Sequence, residues 1–209
     1  LGCPAAMYLA SAGVGHLIIA DDDVVDLSNL QRQVAHSQAK IGEPKVLSAQ
    51  QTLLGLNPDL KITPLQKRLL GTELSEAVSQ ADLVVDACDN FSTRFAINAS
   101  CIEHGKPLVS GAAIRMEGQV AVFDSRSPPR PCYQGLYSEG DDDDTSCSQN
   151  GVMAPVVGII RAVQAMEAIK LLCGIGESLT GRLLLLDAVT MQWREMRLPR
   201  DSSCGACGG

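Results

Sequence analysis

His16-Leu17-Ile18-Ile19-Ala20-Asp21, HLIIAD at residues 16–21, decides how the rest of the chain is read. It is a short apolar run that ends on an acid and continues into two more, Asp22 and Asp23. An apolar run of this length, with Gly13 and Gly15 before it, reads as a buried parallel strand. Upstream, CPAAMYLASAG (3–13) reads as a helix that the same two glycines end. Downstream, residues 43–55 read as a helix opened by Glu43-Pro44, with the proline at a first-turn position. Residues 61–65 are expected to be a strand and 73–80 a helix. DLVVDA (82–87) is a second buried strand, and 91–104 a further helix. This alternation predicts an α/β fold, a Rossmann-like doubly wound sheet whose parallel strands are joined by crossover helices.

The second half changes pattern. KPLVSGAAI (106–114) and GQVAVFD (118–124) read as strands joined by a short turn at Arg115–Glu117. RLLLLDA (182–188) and QWREMRL (192–198) repeat the arrangement, so antiparallel hairpins extend the parallel first half. Between the hairpins lie a polar loop, 125–150, with the acidic run Asp141–Asp144 and Cys147, and a strongly apolar helix, 155–172, expected to lie buried against the sheet. One domain over 1–209 is expected, with a parallel half at 1–105 and an antiparallel half at 106–209.

Composition narrows the function. Of 209 residues, 45% are hydrophobic, enough for a sizeable core, while aromatics are 3% and the net charge is -7. Few aromatics and an acidic balance argue against a nucleic-acid partner or an anionic membrane surface. No apolar run reaches ~18 residues, so no transmembrane helix is expected. No basic segment leads into an apolar one at the start, so no signal peptide is read. There are eight cysteines; Cys3, Cys88, Cys101 and Cys173 sit in apolar or helical stretches and are expected to be buried thiols. A cytoplasmic, reducing location fits this pattern better than a disulfide framework.

Polar groups cluster where a doubly wound sheet binds ligands, at the carboxyl ends of its strands. Asp21 ends the first strand; an acid there can accept hydrogen bonds from ribose hydroxyls, or it can simply form a turn. Ser28-Asn29-Leu30-Gln31-Arg32-Gln33, with Lys45 beyond, offers neutral donors and two cations to a polyphosphate, or an ordinary surface loop. Asp89-Asn90 follows the second strand. A carboxylate there could hold Mg²⁺ beside phosphate oxygens, or the pair could cap the next helix. Two readings share this layout: an ATP-using enzyme, and an NAD-dependent oxidoreductase. No catalytic acid or base partner for the second is apparent.

In order along the chain, GCPAAMYLASAGVG, DDDVVDLSNLQRQ, IGEPK, DACDN, VSGAAIRMEGQ and GVMAPVVGIIRAVQAMEAIKLL resemble the E1-like adenylyltransferases of sulfur-carrier activation, the MoeB/ThiF family. The resemblance covers essentially the whole chain and implies a nucleotide-binding half at 1–105 and a carrier-binding half at 106–209. It implies that ATP is bound by Gly2, Asp21, Ser28, Asn29, Leu30, Gln31, Arg32, Lys45, Asp89 and Asn90. Arg32 would lie on the triphosphate, Lys45 would neutralise charge during transfer, and Asp89 would hold Mg²⁺. The implied reaction is attack by a carboxylate on the α-phosphate, giving an acyl-adenylate and pyrophosphate. The carboxylate would be the C-terminal Gly-Gly of a small ubiquitin-like sulfur carrier, in molybdenum cofactor or thiamine biosynthesis, with IRMEGQ closer to the molybdopterin branch. A homodimer is implied as well, and a non-catalytic, carrier-binding relative is the remaining alternative. Family members carry a glycine-rich loop after a first strand; the present sequence opens inside that motif, at Leu1-Gly2, so both are expected ahead of Leu1.

Cys204 and Cys207 form half of a zinc site. The resemblance pairs them with an earlier Cys-x-x-Cys, which here reads Cys132-Tyr133-Gln134-Gly135, leaving three of four expected ligands. Zinc on three thiolates plus water or a borrowed ligand, a metal-free cluster and a redox pair are the competing readings. By the same resemblance, Cys147 is a candidate for acyl or sulfur transfer, or a non-essential loop thiol.

Overall fold

The computed structural model describes residues 2–126, 131–137 and 151–207. Leu1, the acidic run Asp141–Asp144 and Cys147 lie outside the described residues. Two compact units divide the chain, Leu1–Leu69 and Leu70–Gly209, where the sequence reading divides it at 105.

The first unit holds α1 (Cys3–Ser11), β1 (His16–Ala20), α2 (Lys45–Leu56) and β2 (Lys61–Leu65). β1 and β2 pair in parallel, from His16 opposite Lys61 to Ala20 opposite Leu65. Ala10, Leu53 and Leu60 form a buried centre, with Leu17, Ile19 and Ile62 packed against it. The period of two along a strand puts Leu17 and Ile19 on one face, which explains why both reach it. Contrary to expectation, β1 is only half-buried, with His16 and Ala20 exposed. Among the described residues its ladder runs along one edge alone. Pro44 also differs: it is the cap of α2, at φ -54° and ψ 131°, so Lys45 opens the helix. Two single turns of 3-10 helix, at Leu27–Asn29 and Gln38–Lys40, fill the connection from β1 to α2.

The second unit contains α3 (Gly71–Gln80), β3 (Val84–Asp86), α4 (Phe91–Glu103), β4 (Leu108–Ile114), β5 (Glu117–Phe123), a short α5 (Tyr133–Leu136), α6 (Ala154–Cys173), β6 (Arg182–Asp187) and β7 (Gln192–Arg197). Its sheet runs β3-β4-β5-β6-β7. The β3–β4 pair is parallel and the later pairs are antiparallel. The two expected hairpins are therefore one continuous meander, joined where Gly118 pairs with Leu186. Arg115 turns the first hairpin at φ 51°.

α6 starts with a proline in its first turn and stops at Gly174, whose φ of 63° suits a residue without a side chain. It packs on β4 and β5, burying Val156, Val157 and Ile160. Two glycines set the approach: a Cβ on Gly118 would stand 2.4 Å from Ile160, and one on Gly111 would stand 2.4 Å from the Gln164 amide. Of the four cysteines expected to be buried, Cys101 is buried, Cys3 and Cys88 are half-buried, and Cys173 is exposed at the end of α6. Trp193 is 40% exposed on β7, so it is not a core residue.

Candidate functional site

In the first unit, the segment after β1 is tied to the start of α2. Val24 bridges to Pro44. The Lys45 N–H donates to the Asp23 carbonyl at 3.0 Å. That pairing delivers the Lys45 side chain to the acidic turn, where Nζ meets Asp23 Oδ2 at 2.6 Å. Lys45 is 9% exposed at its side chain and Asp23 67%, so a buried cation points outward through an exposed acid. The carboxylates of Asp21, Asp22 and Asp23 converge to within 4.8 Å. Arg68 approaches Asp22 at 3.8 Å, and Asp21 accepts the Asp23 N–H at 2.9 Å.

The Ser28–Gln33 segment is a self-supporting turn. Asp26 caps it, accepting the Ser28 N–H at 2.8 Å and the Ser28 hydroxyl. These hydrogen bonds hold the Asp26 carboxyl below its usual range. Asn29 Oδ1 receives Arg32 Nη2 at 3.2 Å and Gln33 Nε2 at 2.9 Å, and Arg32 Nη1 reaches the Ser28 carbonyl at 3.3 Å. Gln33 is buried and Gln31 exposed, with Leu30 and Arg32 between those extremes. Asp26 was missed at sequence level, although Asp before Leu-Ser-Asn is an N-cap signal. Gly2 precedes α1 as its cap with no side-chain bond to the helix, and its carbonyl accepts the Ala6 N–H at 3.0 Å.

In the second unit, Asp89 is exposed just past β3, with Asn90 Nδ2 3.4 Å from its Oδ1. Asn90 caps α4: its Oδ1 accepts the Thr93 N–H and the Ser92 hydroxyl, each at 2.9 Å. An exposed carboxylate suits magnesium, which prefers a few hard oxygens and keeps waters.

Behind this turn lies a polar network that the sequence reading did not single out. Asp86 is 1% exposed; Oδ1 accepts the Cys88 N–H at 2.8 Å and Oδ2 the Ser110 hydroxyl at 3.1 Å. Arg94 Nε stands 3.6 Å from Asp86 Oδ2, and its Nη2 donates to the Cys88 carbonyl at 2.6 Å. From α6, Arg161 Nη1 and Gln164 Nε2 both donate to the Asp86 carbonyl at 2.9 Å. Together these bonds fix the turn that presents Asp89. An acid inside an apolar strand is rarely buried without a partner, which is the signal that could have found it.

Cys132, Cys204 and Cys207 converge, their sulfurs within 4.8 Å of one another. Tetrahedral zinc with Zn–S of about 2.3 Å sets sulfurs roughly 3.8 Å apart, and Cys132 and Cys204 are 3.7 Å apart. The donor set therefore fits zinc. Burial opposes ionisation of Cys204, but N–H groups of Ala206 and Cys207 and the neighbouring thiols outweigh it and lower its pKa. Burial and the neighbouring sulfurs push Cys207 up to about 12.

Comparison with known proteins decides the family. The ThiF family profile matches residues 1–206. The chain belongs to the ThiF family. It is 49% identical over 208 residues to the molybdopterin-synthase adenylyltransferase of Escherichia coli K12, covering 100% of this chain and 83% of that protein. It is 47% identical over 211 residues to the sulfur carrier protein ThiS adenylyltransferase of the same organism, covering 100% of this chain and 82% of the relative. Among solved structures, Escherichia coli MccB with succinimide superposes with a TM-score of 0.86 at 21% identity; this chain is covered fully and spans 63% of that one. That likeness supports the Rossmann-like α/β fold.

Proposed function

We propose that this ThiF-family protein uses ATP to adenylate the C-terminal Gly-Gly carboxylate of a ubiquitin-like sulfur carrier, releasing pyrophosphate. The observation that carries the reading is near-half identity, along the full chain, to adenylyltransferases of two sulfur-carrier pathways. The nicotinamide-dependent alternative has no such support. Identities of 49% and 47% are too close to select a branch. The molybdopterin-type carrier is preferred on the IRMEGQ segment.

The attacking group is already a carboxylate, so no general base is needed, and catalysis is positioning plus charge stabilisation. In this reading Asp21 receives the ribose hydroxyls. Gly2, without a side chain at the start of α1, admits phosphate to a helix N-terminus. Ser28, Asn29, Leu30 and Gln31 line the phosphates, and Arg32 stays on the triphosphate because Asn29 and the Ser28 carbonyl fix its fork. Lys45, already aimed outward by Asp23, takes up charge on the phosphates. Asp89 would hold Mg²⁺ beside Asn90; the ion would shield the phosphate oxygens. Residues 1–209 act as one adenylation domain.

Zinc belongs to the proposal as a structural ion on Cys132, Cys204 and Cys207. So does a homodimer, to which the exposed Val189, Met191, Trp193 and Met196 offer apolar surface. A cytoplasmic location is supported by free thiols at each described cysteine. No described helix is long and apolar enough to cross a membrane. Carrier-dependent exchange of pyrophosphate into ATP tests the reaction: the proposal expects exchange only with a Gly-Gly carrier present. Exchange that ignores the carrier would refute it.

A further inference from the structure

Cys3, His36 and Ser48 meet in the first unit, and the proposed chemistry uses none of them. His36 Nδ1 lies 2.8 Å from Ser48 Oγ, and its Nε2 lies 3.5 Å from Cys3 Sγ. Cys3 opens α1 directly after Gly2, and Ser48 is buried in α2. His36 comes four residues after Arg32, and its N–H donates to the Gln33 carbonyl at 3.0 Å. The neighbouring Ala35 is held from both sides as well. Its N–H donates to the Cys3 sulfur, and its carbonyl accepts the Thr52 hydroxyl at 2.7 Å. The end of the Arg32 segment is therefore tied to α2 through Ser48 and Thr52, and to the start of α1 through Cys3. Lys45 and Asp21 act electrostatically on both Cys3 and His36, so the cluster stands beside two of the candidate site residues.

A thiol beside an imidazole is the pattern of an activated nucleophile, in which the ring takes the thiol proton. Burial raises the Cys3 thiol and lowers His36, and both shifts oppose that transfer. What remains is a hydrogen-bonded strut. A neutral imidazole has one donor and one acceptor nitrogen, so it can serve a partner on each side. Resting on the adenylation reading above, we infer that His36 is a positioning residue for the nucleotide. Through Cys3 it sets the start of α1, where in that reading Gly2 admits phosphate, at a fixed distance from Arg32 on the triphosphate. A side chain that never touches the reacting atoms matters in this way because displacements on the order of 1 Å are costly.

Calorimetric titration of the purified protein with MgATP, without carrier, tests this. Asparagine places its amide near the Nδ1 position and glutamine near the Nε2 position. His36→Asn therefore keeps the Ser48 contact and loses Cys3, and His36→Gln does the reverse. The inference expects ATP to bind more weakly to His36→Asn by a factor on the order of 10, the size of one lost hydrogen bond. Cys3→Ala breaks the same link from its other end and should weaken binding to a similar degree. His36→Gln should restore the parent affinity to within a factor of about two. Urea midpoints should fall in both His36 variants, so affinity and stability part company in His36→Gln. Parent affinity in His36→Asn and Cys3→Ala, or equal losses in His36→Asn and His36→Gln, would overturn the inference. Parent protein that binds no ATP fails the adenylation reading first, and this inference with it.

Discussion

Lys45 reaches the acidic turn because backbone pairing near Asp23 and Pro44 brings two segments together that lie about twenty residues apart in sequence. Its 2.6 Å contact with Asp23 holds the ammonium in an outward pose. Lys45→Ala is expected to lower carrier-dependent kcat by a factor on the order of 100, with a smaller change in KM for ATP, because in the proposed role its charge acts on the transferring phosphates. Steady-state pyrophosphate release measures it. Asp89→Ala should reduce ATP–pyrophosphate exchange by a factor on the order of 100 or more, and exchange at the parent rate would sink the magnesium assignment. At this scale the candidate residues Asp21, Ser28–Arg32, Lys45 and Asp89 were legible from their places after strands. Their partners were not. Asp23 stood only as part of the acidic run and Asp26 had no reading, and only the folded chain shows one aiming Lys45 and the other capping the Leu27–Asn29 turn. Asn90 was read as a nucleotide contact or a cap, and its carbonyl oxygen is engaged as the cap.

Among the elements, α6 and the β4–β5 hairpin carry the second unit, and their closeness depends on two missing side chains. Gly118→Ala would set a Cβ 2.4 Å from Ile160, closer than atoms tolerate. The expected cost is about 1–3 kcal/mol from overpacking, read as a lower urea midpoint with unchanged slope. Adding Ile160→Val should recover part of it. The strands and long helices were legible because their apolar periods run for several residues, and the observed bounds differ from the reading by two residues or fewer. The turns at Leu27–Asn29 and Gln38–Lys40 and the four-residue α5 were not, since one turn is too short to show a period. The meander was half legible. Each hairpin follows from local turns, whereas the β5–β6 pairing joins segments about sixty residues apart and leaves no local trace.

The whole molecule adds a pH dependence that the isolated elements lack. Burial raises Cys101 from 9.0 to about 12, with the Asp86 charge adding to it. Burial also raises Tyr133 from 10.0 to about 12, against the opposing effect of Arg94. Both groups keep their protons in the folded state where the unfolded chain has lost them. The unfolded state then binds fewer protons, so stability should fall as pH rises from 9.0 toward about 12. Urea midpoints across that range measure the fall, and Cys101→Ala should flatten its lower part. At the same scale, the account's central claim is that this ThiF-family chain makes an acyl-adenylate on a Gly-Gly carrier. Mass spectrometry of candidate carriers after incubation with the protein and MgATP tests it most directly. The account predicts a C-terminal AMP adduct on a Gly-Gly carrier and none on the same carrier lacking its last glycine. Folded, ATP-binding protein that leaves every Gly-Gly carrier unmodified and releases no pyrophosphate would contradict it.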